Sequence, residues 1–104
     1  MKKIKHPVCG HMLAIVNGLL FEFKTVTGGI KKVGKRFGES RVQGQNVFIR
    51  IENSELTKPQ VVKKLVSYVN NKEYKGGYKG KLILAFGEGY SQRTYFYRIR
   101  DLKK

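Results

Sequence analysis

The chain has 104 residues, 40% of them hydrophobic and 12% aromatic, material for one core and too little for two. Its 22 Lys and Arg against 7 Asp and Glu leave a formal charge of +15, which suits polyanions and nucleic acid first, because neutralising phosphates releases counterions. The single cysteine excludes an internal disulfide and fits a reducing, cytoplasmic setting, and no segment approaches the ~20 apolar residues of a spanning helix, so no membrane insertion is expected.

In chain order, Met1 to Lys5 reads as a basic arm. His6, Cys9 and His11 follow closely, but a closed zinc site needs four ligands and there is no second Cys. The sequence thus calls for no metal and no cofactor. The mild apolar run Met12 to Leu20 after this arm imitates a secretory leader, yet Asn17-Gly18 interrupts it and no small-residue cleavage site follows.

Leu13 to Val16 and Leu19 to Val26 read as two strands joined by Asn17-Gly18, a strong signal for a two-residue hairpin turn. Side chains alternate along a strand, so Glu22 and Lys24 share one face and Phe21 and Phe23 the other. The expectation is that the two Phe side chains are buried against a helix, the one from Lys58 to Val69. Glu22 and Lys24 then open on the opposite face, toward a concave surface reached by Arg41 or Gln43.

Thr27-Gly28-Gly29 breaks the second strand. Ile30, Val33, Phe37 and Arg41 then recur at helical spacing with Lys31, Lys32, Lys35 and Arg36 between them, a short basic helix. Gly34 and Gly38 oppose it by about 1 kcal/mol each relative to Ala, which keeps a third strand as the alternative. Asn46 to Ile51 reads as a strand with Val47, Ile49 and Ile51 on one face and Phe48 and Arg50 on the other.

Thr57-Lys58-Pro59-Gln60 is an N-cap with Gln three residues on and Pro in the first turn. Val62, Leu65, Val66 and Val69 form the apolar stripe behind it, and Asn70-Asn71 ends the helix. Tyr74 to Gly80 is loop, Leu82 to Phe86 a buried strand, and Gly87-Glu88-Gly89 turns the chain into a last strand, Thr94 to Arg100. The sum is a single small domain over residues 1–104, α+β with α/β layering as its near alternative. It is a hairpin-led mixed sheet with two helices in the order β-β-α-β-α-β-β.

The run Val16-Asn17-Gly18-Leu19-Leu20-Phe21-Glu22-Phe23-Lys24-Thr25, the basic helix, and Gln43-Gly44-Gln45-Asn46-Val47-Phe48-Ile49 together resemble a group of small nuclease domains. These occur at the C-termini of contact-dependent growth-inhibition toxins and of phage head-morphogenesis proteins, and many cut tRNA or other RNA. The resemblance covers about Met12 to Arg100 in element order, and it implies RNA as substrate and a cognate inhibitor or immunity protein as partner. The metal-dependent branch, similar to PD-(D/E)XK nucleases, needs an Asp on the strand before the Glu-x-Lys, because hard cations want several oxygen ligands. Here that strand reads Met12-Leu13-Ala14-Ile15, and Asp101 is the only Asp in the chain. Either this copy has lost its metal site, or it is similar to the metal-independent ribonucleases of the barnase and RelE-like kind, in which the RNA 2′-hydroxyl attacks its own phosphate.

In that chemistry Glu22 and Lys24 are the candidate reacting pair, and His11 is a candidate acid or base. Arg41 and Gln43 join them on the resemblance. Thr25 and Thr27, with the Gly28-Gly29 amides at a helix start, are candidates to hold a phosphate. Lys31, Lys32, Lys35 and Arg36 form a stripe suited to a phosphate backbone, and the tyrosines Tyr74, Tyr78, Tyr90, Tyr95 and Tyr97 offer rings to bases. Each has a plainer reading. Glu22–Lys24 also fits an ion pair on a solvated strand, and Tyr95 and Tyr97, on one strand face, fit half-buried sheet positions. The alternative function is a non-catalytic nucleic-acid-binding or structural protein of a phage or mobile element.

Overall fold

The computed structural model describes residues 2–5, 12–43, 46–87 and 92–104. The strands β1 (Lys2–Lys5), β2 (Met12–Val16), β3 (Leu19–Val26), β4 (Val47–Ile51), β5 (Lys81–Phe86) and β6 (Arg93–Arg98) form one six-stranded sheet in sequence order. β1, β2 and β3 are an antiparallel meander. β3, β4 and β5 are mutually parallel, so each junction needs a crossover, supplied by α1 (Ile30–Gln43) and α2 (Lys58–Val69). β6 returns antiparallel to β5 and leads into a 3-10 helix, Ile99–Leu102. The α+β arrangement and the element order match the reading from sequence. β1 is an addition to it: the basic arm pairs antiparallel with β2 at one edge of the sheet.

The local signals act as their chemistry dictates. Asn17 and Gly18 both take positive φ, 52° and 79°, the conformation a two-residue hairpin demands. Thr57 and Gln60 form a reciprocal capping box: Oγ1 of Thr57 accepts from the Gln60 N–H, and Oε1 of Gln60 accepts from the Thr57 N–H at 2.9 Å. At the other end of α2, Asn70 donates to the Val66 and Leu102 carbonyls at 2.7 and 2.8 Å, fastening the C-terminal segment to the helix.

Both helices lie on one side of the sheet. Their buried residues Val33, Phe37, Val61, Leu65 and Val69 pack on Val26, Val47, Ile49, Ile51, Leu82 and Leu84, and Ile99 and Leu102 close the edge of this core. In α2 the fully buried row is Val61, Leu65 and Val69, while Val62 and Val66 are half-buried flanks. Phe21, Phe23, Phe48, Ile83 and Ala85 form a second, smaller cluster on the opposite face, where the Phe23 and Phe48 rings stack at 5.2 Å. Buried on both faces, β4 and β5 read as nearly continuous apolar runs, the habit of parallel strands inside a sheet.

α1 is a helix despite Gly34 and Gly38 because both glycines are where α2 approaches. A Cβ on Gly38 would stand 2.2 Å from the Tyr68 hydroxyl, and one on Gly34 3.3 Å from the Tyr68 ring. The propensity cost is offset by close helix packing around Tyr68, whose ring meets Phe37 edge-on at 5.9 Å.

Candidate functional site

The register places the Glu22–Lys24 pair. Glu22 lies beside Val47 and Lys24 beside Ile49, both residues of the helix-side core, so both charges face the helix layer. Phe21 and Phe23 therefore point to the helix-free face. This inverts the expected arrangement, in which the Phe side chains met a helix and the charges opened away from it. The physical reason is that both crossovers close over the face carrying Val26, Val47 and Ile49, and β3 brings Glu22 and Lys24 to that face by alternation.

Glu22 is 4% exposed. Lys24 Nζ stands 3.7 Å from its Oε1, with 16% of the lysine side chain exposed. The Glu22 N–H donates to the Asn46 carbonyl at 2.8 Å, which fixes the start of β4 against β3. α1 runs back antiparallel to β3, returning Arg36, Glu39 and Ser40 toward this end of the sheet. Arg36 Nη1 donates to Glu39 Oε1 at 3.0 Å, and the buried Ser40 hydroxyl donates to the Arg36 carbonyl at 2.7 Å. The Arg36 hydrogen bond holds the Glu39 carboxyl below its usual 4.5 against the opposing effect of burial, and the charges of Arg36, Lys24 and Lys35 act in the same direction as that bond. Lys24 is thus electrostatically linked to both carboxylates.

The other nominated residues divide. Arg41 and Gln43 fall on the last turn of α1, at the Glu22 end of the sheet, though their side chains lie outside the described residues, as does His11. Lys31, Lys32 and Lys35 are exposed on α1. Thr25 shares the helix-free face with Phe23 and is half-buried, and Thr27 is exposed between β3 and α1, so neither adjoins the Glu22–Lys24 pair. At the start of α1 the Gly28 carbonyl accepts from Asn53 and the Gly29 carbonyl from the Lys32 N–H. Tyr74 and Tyr78 pack against the helix-side core, Tyr95 and Tyr97 are half-buried there or beside it, and Tyr90 lies outside the described residues.

Leu13 occupies the register position opposite Glu22 on β2, and among the described residues no three His, Cys, Asp or Glu side chains gather as ligands. The His6, Cys9 and His11 group lies outside the described residues. Among the described residues no helix is long and apolar enough to cross a membrane.

The sequence reading missed two surface grooves. At the end of the sheet, a groove of about 460 Å³ is lined by Leu19, Tyr78, Lys79, Lys81, Arg98 and Arg100. Asn46 also reaches it, accepting from the Lys81 N–H at 2.9 Å and donating to the Leu20 carbonyl at 3.1 Å, so that one side chain bridges β3, β4 and β5. A second groove of about 390 Å³ on the helix-free face is bordered by Phe21, Ile83, Phe96 and Asp101 and shares Lys81 and Arg98 with the first. The signal available in sequence was the alternation Tyr95-Phe96-Tyr97-Arg98, which turns Phe96 and Arg98 away from the tyrosines.

No family model matches the chain, and neither a curated protein nor a solved structure matches it.

Proposed function

We propose that this protein is a nucleic-acid-binding, nuclease-like domain that acts on RNA without a metal ion, with Glu22 and Lys24 as its reacting pair. The observation that carries the reading is a carboxylate 4% exposed and held 3.7 Å from a lysine, on a sheet face whose neighbours Val26, Val47, Ile49, Leu82 and Leu84 are apolar. Removing charge from water costs several kcal/mol per ion, and an apolar side chain would fill such a position at least as stably. Retained charges of this kind are candidates for chemistry. The chain's +15 supplies the attraction for a polyanion.

In this reading Glu22 accepts the proton of a ribose 2′-hydroxyl as its oxygen attacks the adjacent phosphorus. Lys24 neutralises the charge that develops on the phosphate oxygens, and the departing 5′-oxygen takes a proton from an acid, for which the sequence offers His11, a residue outside the described ones. The element order and the Glu-x-Lys position support the resemblance from which the roles of Glu22 and Lys24 come. The low exposure of Glu22 favours one further reading, a non-catalytic nucleic-acid-binding protein in which the pair is structural.

The test is incubation of the purified protein with total RNA, with and without EDTA, beside Glu22→Gln. The expected result is cleavage that survives EDTA, leaves 2′,3′-cyclic phosphate ends and disappears in the variant. Binding without cleavage establishes the second reading. Cleavage only with Mg²⁺, or of DNA, overturns the 2′-hydroxyl chemistry.

A further inference from the structure

We infer that the two grooves meeting at Lys81 and Arg98 form a single-stranded RNA track, in which Phe96 stacks a base and the surrounding cations hold the phosphates. The inference rests on the proposed RNA reading and assigns it a surface remote from the α1 stripe.

Phe96 is 65% exposed, in a molecule whose other phenylalanines with described burial are buried or half-buried. It lies on the helix-free face beside Ile83 in the β5–β6 register, and Ile83 beside Phe48, so Phe96 lines one groove with Phe21 and Ile83 at the border of the buried apolar cluster. Arg98 follows two residues later on the same face, about 7 Å along the strand. Lys81 is its direct cross-strand partner. From these two cations the surface turns over the end of the sheet into the first groove, where Lys79 and Arg100 join them and no carboxylate is among the lining residues. The Tyr78 ring forms an aromatic wall there, with Lys103 Nζ 4.7 Å from its centroid. Asp101 is the acid on the second groove; its carboxylate is 3.1 Å from Arg98 Nε, orienting that guanidinium on the rim.

An exposed apolar ring flanked by cations matches a polyanion that also carries flat apolar faces. A single strand meets both demands, because its bases are free to leave one another and lie on an aromatic side chain while its phosphates follow a basic groove. A duplex keeps its bases stacked and offers Phe96 nothing. A lone phosphate would use the cations and leave the ring idle.

The experiment titrates a fluorescein-labelled uridylate 12-mer into the full chain by anisotropy at several salt concentrations, with a matched RNA duplex in parallel. The variants are Phe96→Ala, Phe96→Trp and the double change Lys81→Ala with Arg98→Ala, each checked by thermal melting. Phe96→Ala is expected to weaken single-strand binding about tenfold or more, the size of one lost base stack, with little effect on the duplex. The chain has no tryptophan, so Phe96→Trp introduces a single reporter, which the 12-mer should quench. The double variant should lower the dependence of log affinity on log salt by about 1.4, two single-strand phosphates' worth. Wild-type binding that is indifferent to Phe96→Ala and leaves the Trp unquenched overturns the track while the proposed function stands; no binding by the wild type overturns both. Concentration-dependent self-association in sedimentation, lost in Phe96→Ala with RNA binding intact, would instead make the patch a contact between copies of this chain.

Discussion

Glu22 and Lys24 meet at 3.7 Å on the helix-covered side of the sheet, with Glu22 buried and Lys24 reaching toward solvent. A pair in that setting has two measurable consequences, one for chemistry and one for stability. An exposed ion pair contributes only about 0–1 kcal/mol and breaking a fully buried one costs about 3–5 kcal/mol, so a pair with a buried carboxylate and a part-exposed lysine falls between. Lys24→Met should therefore lower unfolding free energy by about 1–3 kcal/mol in urea titrations, and by clearly less in a Glu22→Gln background. A coupling of about 0.5 kcal/mol or more in that cycle marks the pair as interacting. A coupling of zero shows that the lysine stabilises the sheet by some other means.

The exposed lysines of α1 make a prediction about binding rather than folding. Replacing Lys31, Lys32 and Lys35 with Glu should weaken nucleic-acid binding for all sequences alike and flatten its salt dependence, because such contacts sense phosphates and not bases. Filter binding across a salt series measures this. Unchanged affinity removes the helix from the interface.

Glu39 supplies a pH dependence whose sign follows from its partners. Arg36 holds its carboxyl below the ordinary 4.5 in the folded protein, so the folded state binds its proton less readily than the unfolded chain. The stabilisation is complete above about 4.5 and fades as the pH falls through the lower folded value. Because the Arg36–Glu39 pair is more than a third exposed, the effect is small and screened by salt. Urea midpoints measured from pH 6 down to 2.5 should fall less steeply for Glu39→Gln than for the wild type. The difference should shrink as salt is raised.

What could be read from the sequence was what neighbours in sequence decide. Asn17-Gly18 permits little besides a tight hairpin turn, and Thr57 with Gln60 caps a helix through atoms three residues apart. Alternation along β3 separated Glu22 and Lys24 from Phe21 and Phe23, but which side the helices cover depends on where α1 and α2 cross, a property of the whole chain. The aromatic pair resembled the more hydrophobic side, yet the helix layer chose the face of Val26, Val47 and Ile49. Lys2 to Lys5 carries no apolar alternation, so only its pairing with Met12 to Ile15 reveals a strand. The groove around Lys81 and Arg98 joins a loop, three strands and the C-terminal segment, whose proximity no local pattern encodes.

Gly34 and Gly38 show the same division between local and long-range information, and they allow the sharpest test of the helix packing. In an exposed helix either glycine changed to Ala would stabilise by about 1 kcal/mol. At Gly34 the new methyl would meet Lys64 and Tyr68 carbons at 3.3 Å, a contact a small shift relieves, so Gly34→Ala should be close to neutral. At Gly38 it would lie 2.2 Å from the Tyr68 hydroxyl and 3.0 Å from the ring carbon bearing it. Tyr68 is held by Phe37 and Tyr74, with ring centroids 5.9 and 5.6 Å away, and cannot turn aside without loosening both contacts. Overpacking of this kind costs about 1–3 kcal/mol, so Gly38→Ala should destabilise in spite of its better helix propensity. Adding Tyr68→Phe removes the closest atom and should restore part of the loss, giving a favourable coupling in urea unfolding of the double variant. Equal stability of Gly34→Ala and Gly38→Ala would mean that α1 and α2 are not seated on each other through Tyr68.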